Sequence, residues 1–123
     1  MKLHRQVLNM KLAFKLWIVS DESNKKIFGD GPEELLIKID KFGSLRQAAN
    51  SMNMSYSKAW GIIENIEKQL GIKLLDKQIG GVKGGGSTLT PGARKLLEKY
   101  FNIKKDVELY ISKLERTILD DDK

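Results

Sequence analysis

The chain has 123 residues, the length of one domain around a single core. Hydrophobic residues make up 41% and charged residues 31%, which excludes wholesale disorder, and the absence of cysteine excludes disulfides, thiolate nucleophiles and cysteine zinc sites. The net charge is +6, and it is uneven: residues 44–95 hold eight basic and three acidic side chains, a net +5, against +2 for residues 1–43 and −1 for residues 96–123. A basic middle segment favours a nucleic-acid or phosphate partner over a generally basic surface. His4 is the one histidine and lies in a charged N-terminal stretch, so no histidine-centred dyad or metal site is expected. Leu16–Val19 is the longest aliphatic and aromatic run, far short of a membrane span. The chain reads as soluble and cytoplasmic, with no membrane association, no cofactor, no metal and no enzymatic site.

From Lys11 to Ser20, Leu12, Phe14, Leu16 and Ile18 alternate with Lys11, Ala13, Lys15 and Trp17, the period of a half-buried strand. Asp21–Asn24 is turn chemistry and Lys25–Phe28 returns as a second short strand. Gly29-Asp30-Gly31 breaks the chain, and Pro32 fits the first position of a helix that carries Leu35, Leu36, Ile39 and Phe42 and stops at Gly43. Ser44 with Gln47 opens a short helix through Leu45, Ala48, Ala49 and Met52. Asn53 makes a tight turn, and Ser55 caps a third helix with a stripe of Ala59, Ile62, Ile63, Ile66 and Leu70 that ends at Gly71. Leu74-Leu75 and Leu89 read as short strands on either side of the glycine-rich segment Gly80–Gly86. Thr90-Pro91 caps a last helix of about 45 Å, whose Leu96, Tyr100, Ile103, Val107, Tyr110 and Leu114 form a heptad seam. That seam would stay wet in a monomer, so a homodimer is expected.

This order predicts a mainly α fold with small β elements. It is a winged helix-turn-helix with an N-terminal β-hairpin, a three-helix core and a β-wing, followed by a long C-terminal dimerisation helix. Residues 1–89 would be the DNA-binding domain and residues 90–123 the dimerisation element. Ala48 and Ala49 are small where the two helices of the motif cross, and Met54 and Ala59 fill the angle between them.

In such motifs the N-terminal end of the second helix enters the major groove. Ser55, Ser57 and Lys58 can bond bases or phosphates there, and Gly61 leaves room for close backbone approach. The Tyr56 ring packs or its hydroxyl reaches a phosphate; Trp60, at the margin, is read as a packing residue before a reader. Glu64 and Glu67 lie past the groove. A phosphate-binding loop needs its glycines before a Lys-Ser/Thr pair that opens a helix, whereas here Lys83 precedes Gly84–Gly86 and a strand follows. The loop is instead a mobile wing whose backbone amides, Lys83, Ser87 and Thr88 lie on the DNA backbone or in the minor groove, or simply a flexible hairpin. Asp76 beside Lys77 reads as a solvated strand edge.

From Lys15 to about Tyr100 the chain resembles the DNA-binding domain of ModE-type molybdenum-dependent regulators. The similarity rests on KLWIV at 15–19, FGDGPEELL at 28–36, GSLRQAANSMNMSYSKAW at 43–60 and GGVKGGGSTLTPGARKLL at 80–97. Residues 48–77 are also similar to LysR-type winged helices. The resemblance implies a homodimer on a palindromic operator in double-stranded DNA, with Ser55–Lys58 at the recognition end and Arg46, beside Ser44, on phosphates with the Lys83 wing. Members of the family continue into a molybdate-binding region. This sequence ends at residue 123 in an Asp-rich tail, so a single-domain member without molybdate binding is expected. The alternative function is a winged-helix protein interaction or assembly module whose basic face is incidental.

Overall fold

The structure, a computed structural model, describes residues 10–78 and 86–119, with backbone alone at Gln78 and Leu119. The elements run β1 (Ile18–Val19), β2 (Lys26–Phe28), α1 (Asp30–Phe42), α2 (Leu45–Ser51), α3 (Tyr56–Leu70), β3 (Leu75–Gln78), β4 (Gly86–Leu89) and α4 (Pro91–Leu119). Two compact units result. One spans Leu16–Glu98; the other joins the described residues of Met1–Lys15 to those of Lys99–Lys123.

The larger unit is a winged helix-turn-helix. Its core gathers Phe28, Leu35, Leu36, Ile39, Ala48, Ala49, Ala59, Ile63, Ile66 and Leu74, all essentially inaccessible to solvent. The three alanines allow the close helix crossing that their size suggests. Gly43 and Gly71 close α1 and α3 in the left-handed conformation, with φ of 67° and 65°. Asn53 turns the chain between α2 and α3 with a φ of 54°. Each of the next starts is capped as its sequence predicts. The Ser44 and Ser55 hydroxyl oxygens accept from the Gln47 and Lys58 N–H groups at 3.1 Å, and Thr90 Oγ1 accepts from Ala93 N–H at 3.0 Å. The Thr90 hydroxyl also donates to the Lys73 carbonyl, tying the start of α4 to the chain just before β3. Arg94 and Asp40 form a two-bonded ion pair between α4 and α1 at 2.8 and 3.2 Å. Hydrogen bonding to Asp40, then its charge, raises the Arg94 pKa further above its already high ordinary value.

Two readings of the N-terminal region change. The alternating stretch 11–20 holds only Ile18–Val19 as strand, antiparallel to β2. Alternation alone cannot supply the backbone partner that a strand needs, and β2 offers three residues. Helix α1 begins at Asp30, so the expected break Gly29-Asp30-Gly31 is its N-cap and first two residues, and Pro32 sits third. Proline is tolerated there because the first-turn N–H groups have no acceptor within the helix.

Gly29 has an extended backbone, and its role is steric. A Cβ at this position would lie 2.3–2.8 Å from three atoms of the Trp17 ring. The wing strands β3 and β4 are longer than the sequence signal and pair antiparallel, with Leu75 opposite Leu89, Asp76 opposite Thr88 and Lys77 opposite Ser87.

In the smaller unit the Leu12 N–H donates to the Glu115 carboxylate at 2.6 Å. Along α4, Tyr100 is buried, Lys104, Val107, Ile111, Glu115 and Ile118 are half-buried, and Phe101, Ile103, Leu109, Tyr110 and Leu114 are exposed.

Gly29→Ala is expected to lower stability by about 1–3 kcal/mol in urea unfolding, because the Trp17 ring must leave its seat. Gly31→Ala meets nothing within 4 Å and should leave stability unchanged or raise it by up to ~1 kcal/mol. Equal effects of the two substitutions would contradict this packing.

Candidate nucleic-acid interface

The exposed face of α3 follows from its helical period. At ~100° per residue, Ala59, Ile63 and Ile66 point inward and Ser57, Gly61, Glu64, Asn65 and Lys68 outward. Tyr56 and Trp60, one turn apart, share one margin, and Lys58 lies toward the other. Ser57 and Gly61 form the middle of the face, and a Cβ on Gly61 would meet nothing within 4 Å. The result is a shallow strip of small residues at the N-terminal half of the helix, rimmed by larger ones.

Cations from two other elements reach the aromatic margin. The Arg46 guanidinium of α2 lies 4.4 Å from the Tyr56 ring centroid, and the Lys77 ammonium of β3 lies 5.0 Å from that of Trp60. Exposed contacts of this kind contribute about 0.5–1 kcal/mol each, enough to bias a side chain's position without neutralising its charge. Among the described residues no ion pair engages Arg46, Lys58 or Lys77, whereas Lys38 is paired with Glu34 and Arg94 with Asp40. The acidic residues of α3 stand apart: Glu67 accepts from the Leu74 N–H at 2.8 Å, and Glu64 lies beyond Gly61.

Among the described residues a backbone hydrogen bond ties the wing to the turn between α1 and α2. The Ser87 N–H donates to the Gly43 carbonyl at 2.9 Å, and a Cβ on Gly86 would lie 2.8 Å from that same oxygen. Glycine is therefore required where β4 passes the α1–α2 turn. Because strand side chains alternate, Leu75, Lys77, Ser87 and Leu89 share one face of the wing, and Asp76 and Thr88 take the other. Leu75 and Leu89 are buried, so Lys77 and Ser87 stand at the outer end of the core-facing side.

The sequence-predicted residues divide accordingly. Arg46, Tyr56, Ser57, Lys58 and Gly61 come together on or beside the exposed α3 face. Ser44 and Ser55 sit at helix starts with their oxygens already accepting cap hydrogen bonds, which leaves each hydroxyl proton free to donate. Ser87 and Thr88 are half-buried and face opposite ways, and the Thr88 hydroxyl is 3.5 Å from the Asp76 carbonyl. Lys83 lies outside the described residues. Of the seam residues, Tyr100 is buried, Leu96 and Val107 are half-buried, and Ile103, Tyr110 and Leu114 are exposed. Sequence reasoning missed Lys77. Alternation counted from the apolar Leu75 would have put it on the core-facing side.

The fold and this face define a winged helix-turn-helix domain. Residues 34–94 match the model of the bacterial regulatory helix-turn-helix protein, lysR family. The chain is 38% identical to the transcriptional regulator ModE of Haemophilus influenzae over 74 residues, covering 60% of this chain and 29% of that protein. It is 32% identical to the molybdenum-pterin-binding protein MopB of Rhodobacter capsulatus over 84 residues, covering 68% and 31%. It is also 32% identical to the DNA-binding transcriptional dual regulator ModE of Escherichia coli over 77 residues, covering 62% and 29%. The solved structure of Vibrio fischeri DarR in complex with DNA shares the fold, with a TM-score of 0.51 at 21% identity over 69% of this chain and 27% of that one. The matched region is thus a lysR-family helix-turn-helix domain of the ModE type. The chain spans about 30% of the length of these curated relatives. No helix among the described residues is long and apolar enough to cross a membrane.

Proposed function

We propose that the chain is a sequence-specific DNA-binding transcriptional regulator of ModE type that binds a palindromic operator as a homodimer. The observation that carries this reading is the exposed N-terminal half of α3. Ser57 and Gly61 leave a strip low enough for base edges to approach, and Arg46 and Lys58 rim it with charge that no described carboxylate compensates. Two of the matched relatives, the ModE proteins of Haemophilus influenzae and Escherichia coli, are regulators by name, which supports the same reading. In this account residues 1–89 read DNA. Ser57 and Lys58 face base edges in the major groove, and Arg46 and the hydroxyls of Ser44, Ser55 and Tyr56 hold phosphates. Ser87 carries the wing toward the DNA backbone, with Thr88 next to it on the other face of β4.

Residues 90–123 supply the second copy's contact in this account. Ile103, Tyr110 and Leu114 recur at spacings of seven and four, so they fall on one side of α4, and they are 52%, 62% and 39% exposed. An apolar row of this kind, left wet, is the kind of surface that a second copy covers.

Selectivity and affinity should separate on mutation. Ser57→Ala and Lys58→Ala are expected to lose discrimination between operator and mixed-sequence duplex. Arg46→Ala should weaken both alike and flatten the plot of log affinity against log salt by ~0.9. The opposite pattern, with Arg46→Ala changing sequence preference, would overturn the assignment. Sedimentation at micromolar concentration should give a dimer for the unmodified chain and a monomer for an Ile103→Glu, Tyr110→Glu double variant. Both sites are exposed, so the variant keeps its core, and a dimer that survives it would place the interface elsewhere.

A further inference from the structure

Lys77 and Trp60 are the strongest feature of this face to which the proposed function gives no part. Lys77 belongs to the wing and Trp60 to the recognition helix, yet the ammonium stands 5.0 Å from the centre of the indole ring. Register explains how a strand residue gets there. Lys77 is two residues beyond the buried Leu75 and directly opposite Ser87, so its side chain leaves the wing on the side that packs on the motif. Ser87 is itself fixed to the Gly43 carbonyl through its N–H, which holds this end of the wing in place. No described carboxylate pairs with the Lys77 charge, and Asp76 beside it takes the opposite face.

We propose that Lys77 is a DNA phosphate contact, and that Trp60 is a positioning residue that holds it beside the recognition helix. The inference rests on the reading of α3 as a DNA-binding helix. A lysine on a free strand edge must lose its rotamer freedom when it meets a phosphate. Here the indole face has already restricted it, and the ammonium keeps N–H donors that the ring does not use. Arg46 on Tyr56 repeats the arrangement one helical turn earlier. The two pairs line the same margin of α3, spaced along one flank of the strip formed by Ser57 and Gly61. A phosphate strand bordering a groove that α3 enters would pass both cations in turn. Trp60 therefore acts through Lys77 and does not read bases.

The test is the salt dependence of affinity for a mixed-sequence DNA duplex, measured on the full chain. Lys77→Ala should flatten the log–log slope by ~0.9, the value of one phosphate contact, and Lys77→Arg should restore it. Trp60→Phe keeps an aromatic face and should leave the slope unchanged. Trp60→Leu should lower affinity in the unmodified background and have no further effect once Lys77 is alanine. A stabilising role alone would shift the unfolding midpoint and leave the slope as it was. An unchanged slope in Lys77→Ala, with the unmodified chain still binding salt-dependently, overturns this inference and spares the DNA-binding reading. Failure of the unmodified chain to bind duplex at low salt overturns both. Additive effects of Trp60→Leu and Lys77→Ala would remove the positioning role of Trp60.

Discussion

The arrangement of the domain depends on one close backbone contact, where β4 meets the turn between α1 and α2. Gly43 ends α1 in a left-handed conformation, and its carbonyl then receives the Ser87 N–H. Gly86 passes so near that oxygen that a methyl group would collide with it. Two glycines are needed for different reasons, one for its backbone angle and one for its missing side chain. Together they set the height of the wing relative to α2 and, through the tight crossing at Ala48, Ala49 and Ala59, relative to α3. Once that height is set, the alternation of β3 determines which of its residues can reach α3.

The neighbours of the cations differ from place to place. Two cations away from this face are neutralised, Arg94 by Asp40 where the helices meet and Lys38 by Glu34 along a helix, while Lys26, Lys41 and Lys105 lie over the rings of Trp17, Phe42 and Phe101. At the α3 face the neighbours offered to Arg46 and Lys77 are aromatic rings instead of carboxylates. A ring orients a cation and leaves its charge available, whereas a carboxylate would cancel it. The acidic residues of α3 fall further along the helix, where Glu67 serves the chain entering β3.

Much of this was legible in the sequence because it is local chemistry. Ser44, Ser55 and Thr90 cap helices, Gly43 and Gly71 end them, and Asn53 turns between them, each from a preference that acts within a few residues. What could not be read there depends on partners distant in sequence. Alternation over residues 11–20 suggested a long strand, but β2 pairs with only two of them. Gly29 reads as part of a chain break between strand and helix, and its reason is the Trp17 ring twelve residues earlier. Lys77 read as a solvated edge because nothing nearby in sequence points to Trp60. The spacing of Leu96, Tyr100, Ile103, Val107, Tyr110 and Leu114 reads as one seam along α4. It could not tell the buried Tyr100 from the exposed Tyr110, since burial depends on what lies against each turn.

The central claim is that DNA is met by the N-terminal half of α3 and the cations held around it. The most direct measurement is a titration of the isotopically labelled chain with a mixed-sequence duplex at low salt, followed by amide chemical shifts. The account predicts that the largest shifts gather at Arg46, Ser57, Lys58, Gly61 and Lys77, and that they fade as salt is raised. Shifts confined to the exposed row of Ile103, Tyr110 and Leu114, with α3 silent, would contradict it.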